Sequence, residues 1–377
     1  MARLGDICTI VSGTTPKSSC PEYWDGNINW VTPAELNDES DVIYESQRKI
    51  TKQAVVNTSL KSFPVGTVLL SSRAPIGKVA IAGVEMYCNQ GFKNLICSEA
   101  IYNRYLYHFL KNKTEYLNSF GRGATFKEIS KSIVEKIEIP LPPLEEQRRI
   151  AALLDKVRDL IAKRRAQLDK LDLLVKARFV EMFGDPAENT RWSTMKLSQL
   201  GELNRGVSKH RPRNDPRLLG GAYPLIQTGD VSNSGLYILN YSSTYSELGL
   251  EQSRLWKSGT LCITIAANIA QTSILTFDAC FPDSVVGFVP NDNTNSVFIH
   301  YWFSFFQKIL EEQAPQVAQK NINLKILSDL DVIVPPYTLQ EDFSAFVGQV
   351  EKSKLTIQQS LDKLEVLKKA LMQQYFG

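Results

Sequence analysis

The chain repeats part of itself at an offset of 193 residues (377 − 184), and this repeat limits the possible folds more than any other feature. Residues 127–184 align without a gap on residues 320–377. The matched positions include Ile129 and Ile322, Pro142-Pro143 and Pro335-Pro336, Gln147 and Gln340, and Phe183-Gly184 and Phe376-Gly377. Solenoid repeats have much shorter periods, of about 20–50 residues. The offset therefore predicts a pseudo-two-fold duplication of a whole domain together with its connector.

A long helical pattern follows each proline pair. Residues 144–182 contain no glycine or proline, and apolar residues recur at spacings of three and four in both copies, which is typical of an apolar stripe on one helix face. The helix-pairing seam is predicted to contain Ile150, Leu154, Val157, Ile161, Leu168, Leu171, Phe343, Val347, Val350, Ile357, Leu361 and Leu364. At about 1.5 Å per residue, nearly forty residues give a helix of roughly 55–60 Å.

Four charged residues interrupt this stripe, namely Arg164, Arg178, Lys354 and Lys368. We therefore expect a short, mostly antiparallel coiled coil rather than a continuous heptad seam. The alternative is a pair of unrelated amphipathic helices, each packed on its own domain.

The predicted fold class is mixed α/β (α+β), with two globular domains and two long antiparallel helices. Residues 1–143 and 185–336 are assigned to the globules, and residues 144–184 and 337–377 to the helices. Short β-branched or aromatic runs at 67–70, 78–81 and 260–265 predict strands. Aromatic stretches at 102–109 and 298–306 predict a helix packed on each sheet. Each globule is large enough to bury a core of its own.

Composition argues against several classes of protein. The 6 cysteines are scattered without Cys-x-x-Cys or Cys/His spacing, so neither a metal site nor a disulfide framework is predicted. No signal peptide and no apolar run of membrane-spanning length is visible, which predicts a cytoplasmic protein without a membrane partner.

The sequence contains no visible catalytic constellation. Val334-Pro335-Pro336-Tyr337 resembles the Asn-Pro-Pro-Tyr motif of amino-group DNA methyltransferases but lacks the leading Asn or Asp. Gly77-Lys78 is not a P-loop, because the first Gly and the Ser/Thr of that motif are missing. None of the 3 histidines has an evident triad or ligand partner. The chain is therefore predicted not to be an enzyme.

Positive charge is concentrated in a few loops, although the net charge of +3 is too small to identify a nucleic-acid binder by itself. Residues 203–220 contain five Arg or Lys residues against Asp215 alone. Such loops can neutralise phosphates, and Arg, Asn and Gln can read base edges. The candidate DNA contacts are Arg73, Lys78, Asn89, Gln90, Arg122 and Lys127 in the first globule, and Arg205, Lys209, Arg211, Arg213, Gln227, Asn268, Gln271 and Lys320 in the second.

Three segments carry a family resemblance. Residues 140–150 read Pro-Leu-Pro-Pro-Leu-Glu-Glu-Gln-Arg-Arg-Ile and lead into a helix that ends Glu-Met-Phe-Gly at 181–184. The globules open with Leu4-Gly5-Asp6-Ile7 and Leu200-Gly201-Glu202-Leu203, and residues 224–231 read Pro-Leu-Ile-Gln-Thr-Gly-Asp-Val. With the duplication, these segments resemble the specificity subunit of type I restriction-modification systems across essentially the whole chain. The second copy departs from the pattern at residues 337–343.

The resemblance implies a non-catalytic subunit that binds double-stranded DNA. Each globule would be a target-recognition domain for one half of an asymmetric bipartite sequence, and the helices would set the spacing between the halves. Two methyltransferase subunits would bind the conserved helices and methylate adenine with S-adenosylmethionine. Restriction subunits with ATP and Mg²⁺ would translocate and cleave DNA, so this chain itself would need no cofactor.

A second hypothesis is structural: the chain would be a coiled-coil adaptor that joins two protein-binding domains. It predicts no sequence-specific DNA binding, and the clustered arginines count against it.

Overall fold

A computed structural model of the chain describes residues 1–73, 75–121, 128–266, 269–306, 309 and 322–377. The chain forms two compact units. Unit 1 combines Met1–Arg165 with Gln359–Gly377, and unit 2 comprises Ala166–Gln358. The boundaries between the units fall inside both long helices. The predicted division into two globules and two helices places its boundaries at the ends of these helices instead.

Unit 1 is built on a five-stranded sheet. The strands of the whole unit are β1 (Ala2–Arg3), β2 (Cys8–Ser12), β3 (Trp24–Val31), β4 (Val42–Ile43), β5 (Lys49–Ile50), β6 (Val68–Leu70), β7 (Val79–Ala82), β8 (Tyr87–Cys88), β9 (Lys93–Cys97) and β10 (Glu138–Ile139). The main sheet has the order β2-β9-β6-β7-β4, beside a smaller sheet β5-β3-β8 and the pair β1-β10. Strands β6 and β7 are buried along their whole length, because each is a short, continuous apolar run.

Unit 2 repeats this plan. Its strands are β11 (Thr194–Lys196), β12 (Gly201–Arg205), β13 (Leu219–Leu225), β14 (Tyr237–Ile238), β15 (Ser243–Tyr245), β16 (Leu261–Thr264), β17 (Thr272–Leu275), β18 (Val285–Pro290) and β19 (Asp331–Ile333). The main sheet has the order β12-β18-β16-β17-β14. In both units the last strand of the main sheet is parallel to its neighbour, while the other neighbours are antiparallel. The predicted mixed α/β fold with an internal duplication is confirmed.

The sheets are accompanied by short helices and by two long ones. The helices are α1 (Leu4–Ile7), α2 (Lys52–Thr58), α3 (Asn103–Asn112), α4 (Thr114–Ser119), α5 (Lys131–Glu135), α6 (Leu144–Phe183), α7 (Thr228–Asn233), α8 (Glu247–Glu251), α9 (Ser296–Phe303), α10 (Leu324–Asp329) and α11 (Tyr337–Phe376). Single 3₁₀ turns lie at Pro21–Tyr23, Pro33–Glu35, Leu197–Gln199 and Pro216–Leu218. The predicted aromatic helices are α3, which packs on β6 and β7, and α9, which packs on β17 and β18.

The two long helices, α6 and α11, each contain 40 residues. They run antiparallel to one another within each unit. In unit 1 the Arg165 guanidinium lies 2.8 Å from the Glu365 carboxylate, and in unit 2 the Lys354 ammonium lies 2.8 Å from the Asp172 carboxylate. Lys354, an interruption of the apolar stripe, thus forms an ion pair between the helices. Of the predicted seam residues, Ile150, Leu154, Val157, Ile161, Phe343, Val347, Val350 and Leu361 are buried, and Leu168, Leu171, Ile357 and Leu364 are half-buried.

A buried glutamine attaches the first turn of each long helix to a globule. In unit 1, Gln147 Nε2 donates to the Ala100 and Pro142 carbonyls at 3.0 and 2.8 Å, and its Oε1 accepts from the Tyr102 N–H at 2.8 Å. In unit 2, Gln340 Nε2 donates to the Asn293 and Pro335 carbonyls, both at 3.0 Å, and its Oε1 accepts from the Thr294 hydroxyl at 3.0 Å. Both side chains are fully buried. A buried amide is stable only when its polar atoms are bonded, so the repeated glutamine fixes the junction between helix and globule in both copies.

The far end of each long helix packs on an aromatic helix. In unit 2, the Phe183 ring lies 5.0 Å from Phe298 in α9, and in unit 1 the Phe376 ring lies 5.1 Å from Tyr105 in α3. These two contacts correspond at the repeat offset of 193 residues.

Unit 1 adds an ionic cluster that unit 2 lacks at the equivalent positions. Arg104 Nε donates to both Asp155 oxygens at 2.9 and 3.0 Å, its Nη2 donates to Asp41 at 2.8 Å, and His108 lies 2.8 Å from Asp155. Burial raises the pKa of Asp155, but hydrogen bonds from His108 and Arg104 outweigh it and lower the pKa to about 2. The counterparts of Arg104 and Asp155 are Val297 and Gly348, so the corresponding ion pair cannot form.

Candidate nucleic-acid interface

A glycine opens equivalent loops in the two units. Gly13 follows β2 and opens the Gly13 loop (residues 13–20), and Gly206 follows β12 and opens the Gly206 loop (residues 206–217). A Cβ at Gly13 would lie 2.3 Å from the Cys88 carbonyl oxygen, and one at Gly206 would lie 2.2 Å from the Phe281 carbonyl oxygen. Only glycine permits this close approach of two backbones. Both glycines and both carbonyls correspond at the repeat offset of 193 residues.

A second pair of equivalent turns lies beside these loops. Ser71 Oγ accepts from the Lys78 N–H at 2.9 Å in unit 1, and Thr264 Oγ1 accepts from the Gln271 N–H at 3.0 Å in unit 2. Each turn is tied to the segment that its glycine loop touches. Ser72 N–H donates to the Gly91 carbonyl, and its equivalent in unit 2, Ile265, donates to the Ser284 carbonyl. Each unit therefore holds two loops at one place by the same backbone contacts.

In unit 1, the structure places two of the candidate residues beside the Gly13 loop. Gln90 is exposed, and its Oε1 accepts a hydrogen bond from the Thr15 hydroxyl. Asn89 is half-buried, and its Oδ1 accepts from the Gly91 N–H at 2.9 Å. Asn89 therefore uses its carbonyl within the domain, whereas the amide group of Gln90 is available at the surface.

Among the cationic candidates of unit 1, the two in the described ranges are engaged within the domain. Arg73 Nε donates to Glu128 Oε2 at 2.8 Å. Partial burial raises the pKa of Glu128, but hydrogen bonds from Arg73 and Lys93 outweigh it, so the pKa lies below its ordinary value. Lys78 donates to the Leu36 carbonyl at 2.8 Å and lines a cleft of about 630 Å³ that also contains long-helix residues.

The basic loop of unit 2, which consists of Arg205 at the end of β12 and the Gly206 loop, contains both paired and unpaired cations. Arg213 donates to both oxygens of Asp283 at 2.7 and 2.8 Å, and Arg217 donates to Asp215 at 2.7 Å. Hydrogen bonds from the side chain and backbone of Arg217 hold the pKa of Asp215 well below its usual range. By contrast, Arg211 donates to the Ser208 and His210 carbonyls at 2.7 and 2.8 Å, which leaves its charge uncompensated.

Arg205 and Lys209 are exposed and make no ion pair with any residue in the described ranges. Together with Arg211 they supply the positive charge that this loop can offer to a ligand.

The remaining candidates fall in two groups. Gln227 and Gln271 are exposed in unit 2, and Gln227 follows Ile226, whose N–H donates to the Cys280 carbonyl close to the Gly206 loop. Arg122, Lys127, Asn268 and Lys320 lie outside the described residues.

Charge clustering does not indicate the Gly13 loop, because Lys17 is the one cation in residues 13–20. Its signal is the repeat itself, since Gly13 and Gly206 share the offset of 193 residues.

In the Gly206 loop, a cation without a carboxylate partner should contribute more to DNA binding than a cation that is paired with a carboxylate. Replacing Lys209 by alanine should reduce the slope of log affinity against log salt by about 0.9, because one phosphate contact is lost. Arg217→Ala also removes one positive charge, but Arg217 is already paired with Asp215. This variant should therefore leave the slope nearly unchanged. Fluorescence anisotropy of the assembled complex with labelled DNA at several salt concentrations measures both. Equal changes of the slope in the two variants would show that pairing with Asp215 does not determine which cation contacts phosphate.

Within the described residues, no group of three or more potential metal ligands comes together. No helix in the described ranges combines the length and the apolar character required to cross a bilayer.

Comparison with known proteins agrees with this duplicated architecture. A family model described as the type I restriction modification DNA specificity domain matches residues 1–171 and again residues 189–368. The specificity subunit of the type I restriction enzyme MjaIX from Methanocaldococcus jannaschii is 27% identical over 401 aligned residues, which cover 98% of this chain and 90% of that protein.

Two solved structures share the fold. One is a chain of a type I R-M system, with a TM-score of 0.62 and 20% identity, covering 100% of this chain and 96% of that one. The other is the type I restriction-modification S subunit from M. genitalium, with a TM-score of 0.58 and 16% identity, covering 100% of this chain and 95% of that one.

Both halves of the chain match the family model, and the match with the MjaIX subunit extends over nearly the whole of both proteins. The chain therefore belongs to the type I restriction-modification DNA specificity family, as a subunit that recognises a DNA sequence and does not itself catalyse a reaction.

Proposed function

We propose that the chain recognises an asymmetric, bipartite DNA sequence, with one globule reading each half. The observation that carries this proposal is the pair of loop frameworks, which have the same backbone contacts in the two units but different side chains. Gln90 of unit 1 corresponds to Asp283 of unit 2, and Lys78 corresponds to Gln271. Because an amide, a carboxylate and an ammonium make different hydrogen bonds to base edges, the two half-sites differ in sequence.

Phosphate contacts position each globule on the duplex, and base contacts select the sequence. In unit 2, Arg205, Lys209 and Arg211 are the phosphate contacts, since they carry uncompensated charge at the surface. The exposed glutamines Gln227 and Gln271 have amides that can bond to base edges.

The long helices set the spacing between the two half-sites. A helix of 40 residues is about 60 Å long, which equals at most about 17 base pairs at about 3.4 Å per pair. This length is therefore an upper limit on the gap between the half-sites.

Two methyltransferase subunits bind the long helices and methylate adenine. S-adenosylmethionine is their cofactor, and each takes the target base out of the duplex for the reaction. Restriction subunits that use ATP and Mg²⁺ complete the assembly. Two exposed apolar pairs support two equal partner sites: Leu173 and Leu174 are 65% and 47% exposed, and the corresponding Val366 and Leu367 are 67% and 44% exposed.

Substituting one apolar pair tests this assignment. The double variant Leu173→Lys with Leu174→Lys should lose one of the two methyltransferase subunits, because lysine ammonium groups would be desolvated in the contact. Native mass spectrometry of the co-expressed complex measures the stoichiometry. Leu248→Lys, at an exposed leucine of α8, is the matched control and should retain both subunits. Two bound methyltransferases in the double variant would exclude this surface.

The proposed function as a whole is tested by co-expression with the methyltransferase in a host without endogenous methylation. Single-molecule sequencing then maps N6-methyladenine across the genome. One asymmetric motif with two specific halves and a fixed spacer is the expected result. A stable complex that methylates no motif would instead favour the coiled-coil adaptor.

A further inference from the structure

The Gly13 loop occupies the place in unit 1 that the basic loop occupies in unit 2. Thr14 N–H donates to the Cys88 carbonyl at 3.0 Å, and its counterpart Val207 donates to the Phe281 carbonyl at 3.1 Å. In both loops a side chain further along bonds to the same position of the facing segment, Thr15 to Gln90 and Arg213 to Asp283. The two loops are therefore structural equivalents with different chemistry.

Two tryptophans hold the backbone of the Gly13 loop in place. The buried Trp30 donates its indole N–H to the Thr14 carbonyl at 3.0 Å, and Trp24 donates to the Lys17 carbonyl at 3.3 Å. The indole rings contact one another edge to face at 5.1 Å. Pro16, between the two bonded carbonyls, is buried. A loop attached at several points loses little conformational entropy on binding, which favours a preorganised recognition surface.

The outer surface of this loop is polar and carries no negative charge. Residues 13–20 read Gly-Thr-Thr-Pro-Lys-Ser-Ser-Cys, without Asp or Glu. Its exposed side chains are Thr14, Thr15, Lys17, Ser18 and Ser19. Hydroxyl groups and a single ammonium are typical of contacts to DNA phosphates and base edges. An ordinary surface loop has no need of this bracing, whereas a loop that must match a groove does.

Gln90 is the side chain in this region best placed to discriminate bases. Its Oε1 accepts a hydrogen bond from the Thr15 hydroxyl, which favours one orientation of the amide, and the residue is exposed. The equivalent residue in unit 2, Asp283, can only accept hydrogen bonds when ionised. The same position thus carries an amide in unit 1 and a carboxylate paired with Arg213 in unit 2.

We propose that unit 1 reads its half-site through the Gly13 loop, with Gln90, oriented by Thr15, as the base-reading residue and Lys17 as a phosphate contact. The inference rests on the proposed function and extends it, since it names the recognition loop that charge clustering fails to reveal.

The test uses the complete chain, co-expressed with its methyltransferase, and maps methylated motifs for the wild type and for Gln90→Ala, Thr15→Val and Asp283→Asn. Gln90→Ala should reduce discrimination between bases by about 5- to 150-fold at one position, in one half of the motif only. Thr15→Val, which keeps the side-chain volume, should relax the same half to a smaller extent. Asp283→Asn, at the equivalent position of unit 2, is the control and should leave the half read by unit 1 unchanged.

Lys17→Ala provides an independent readout. It should leave the motif unchanged but reduce the slope of log affinity against log salt by about 0.9. All the substituted side chains except Asp283 belong to exposed residues, so the variants should assemble, and a thermal melt of each complex checks this.

The possible failures are distinguishable. If the wild-type complex methylates no bipartite motif, the proposed function fails and this inference fails with it. If the wild type gives such a motif, but Gln90→Ala and Thr15→Val reproduce it with undiminished selectivity or change both halves, only the assignment of the Gly13 loop is overturned.

Discussion

Replacing Phe179 by alanine is expected to destabilise unit 2 by about 3–5 kcal/mol, the range observed for large-to-small substitutions at buried aromatic positions. Phe179 lies in α6 and is fully buried. Its ring lies 4.9 Å from Phe183 and 5.4 Å from both Phe298 and Phe343. The side chain therefore joins both long helices to α9. Its removal leaves a cavity between these three helices.

Hydrogen exchange followed peptide by peptide measures this loss and separates unit 2 from unit 1. Protection should fall in α9 and β16–β18 and remain in β6 and β7. Leu174→Ala is the matched control, because this leucine lies on the same helix and is 47% exposed, and it should cost less than about 1 kcal/mol. Equal effects of the two substitutions would show that the aromatic contact is not what holds the helices to α9.

Acidification is expected to destabilise unit 2 by at most about 3 kcal/mol between about pH 6.5 and pH 4, through the partly buried His300. Burial lowers the pKa of His300 from 6.5 to about 4, with Lys354 adding to the effect, while a hydrogen bond with Thr272 opposes it. The unfolded chain therefore binds more protons than the folded chain in this interval. Stability is fully present above the unfolded pKa and is lost as the pH falls toward the folded pKa. Each unit of pKa difference corresponds to about 1.4 kcal/mol.

Urea unfolding at pH 7.5, 5.5 and 4.5 measures this dependence, with His300→Gln as the comparison. Glutamine can hydrogen-bond to Thr272 but does not titrate, so the variant should lose less stability than the wild type over the same interval. The difference between the two curves isolates His300 from other groups that titrate, including His108, whose pKa is also lowered by burial. Parallel curves would refute the assignment.

The long helices and the duplication could be predicted from sequence, because both depend on local periodicity and on direct residue matches. Gln147 and Gln340 were already visible as a matched pair, although their buried hydrogen bonds were not. The ionic cluster of unit 1 could not be foreseen, since Asp41, Arg104 and Asp155 are widely separated in sequence and meet only through folding. The division into units was unpredictable for the same reason: the antiparallel pairing brings the end of one helix to the start of the other.

The candidate site was accessible to sequence analysis only where charge or amide groups cluster. Arg213 and Arg217 form part of the basic loop, but each is paired with a carboxylate. The pairing of Arg213 could not be predicted, because Asp283 is 70 residues away from it in the chain. The Gly13 loop was missed because its importance depends on backbone contacts and on two tryptophans rather than on charge. The repeat offset was sufficient to find it, although only the structure shows why glycine is needed there.

The two units also differ in when they can be completed during protein synthesis. Unit 2 is one continuous stretch, Ala166–Gln358, whereas unit 1 needs Gln359–Gly377 in addition to Met1–Arg165. Tyr105 and Phe109 in α3 are made before unit 2 but receive their contact with Phe376 only after the whole of unit 2 has been made. Domains usually finish folding in the order of their synthesis. Here the order in which the units can be completed is reversed, because a nascent chain that stops just before residue 359 contains all of unit 2 and an unfinished unit 1.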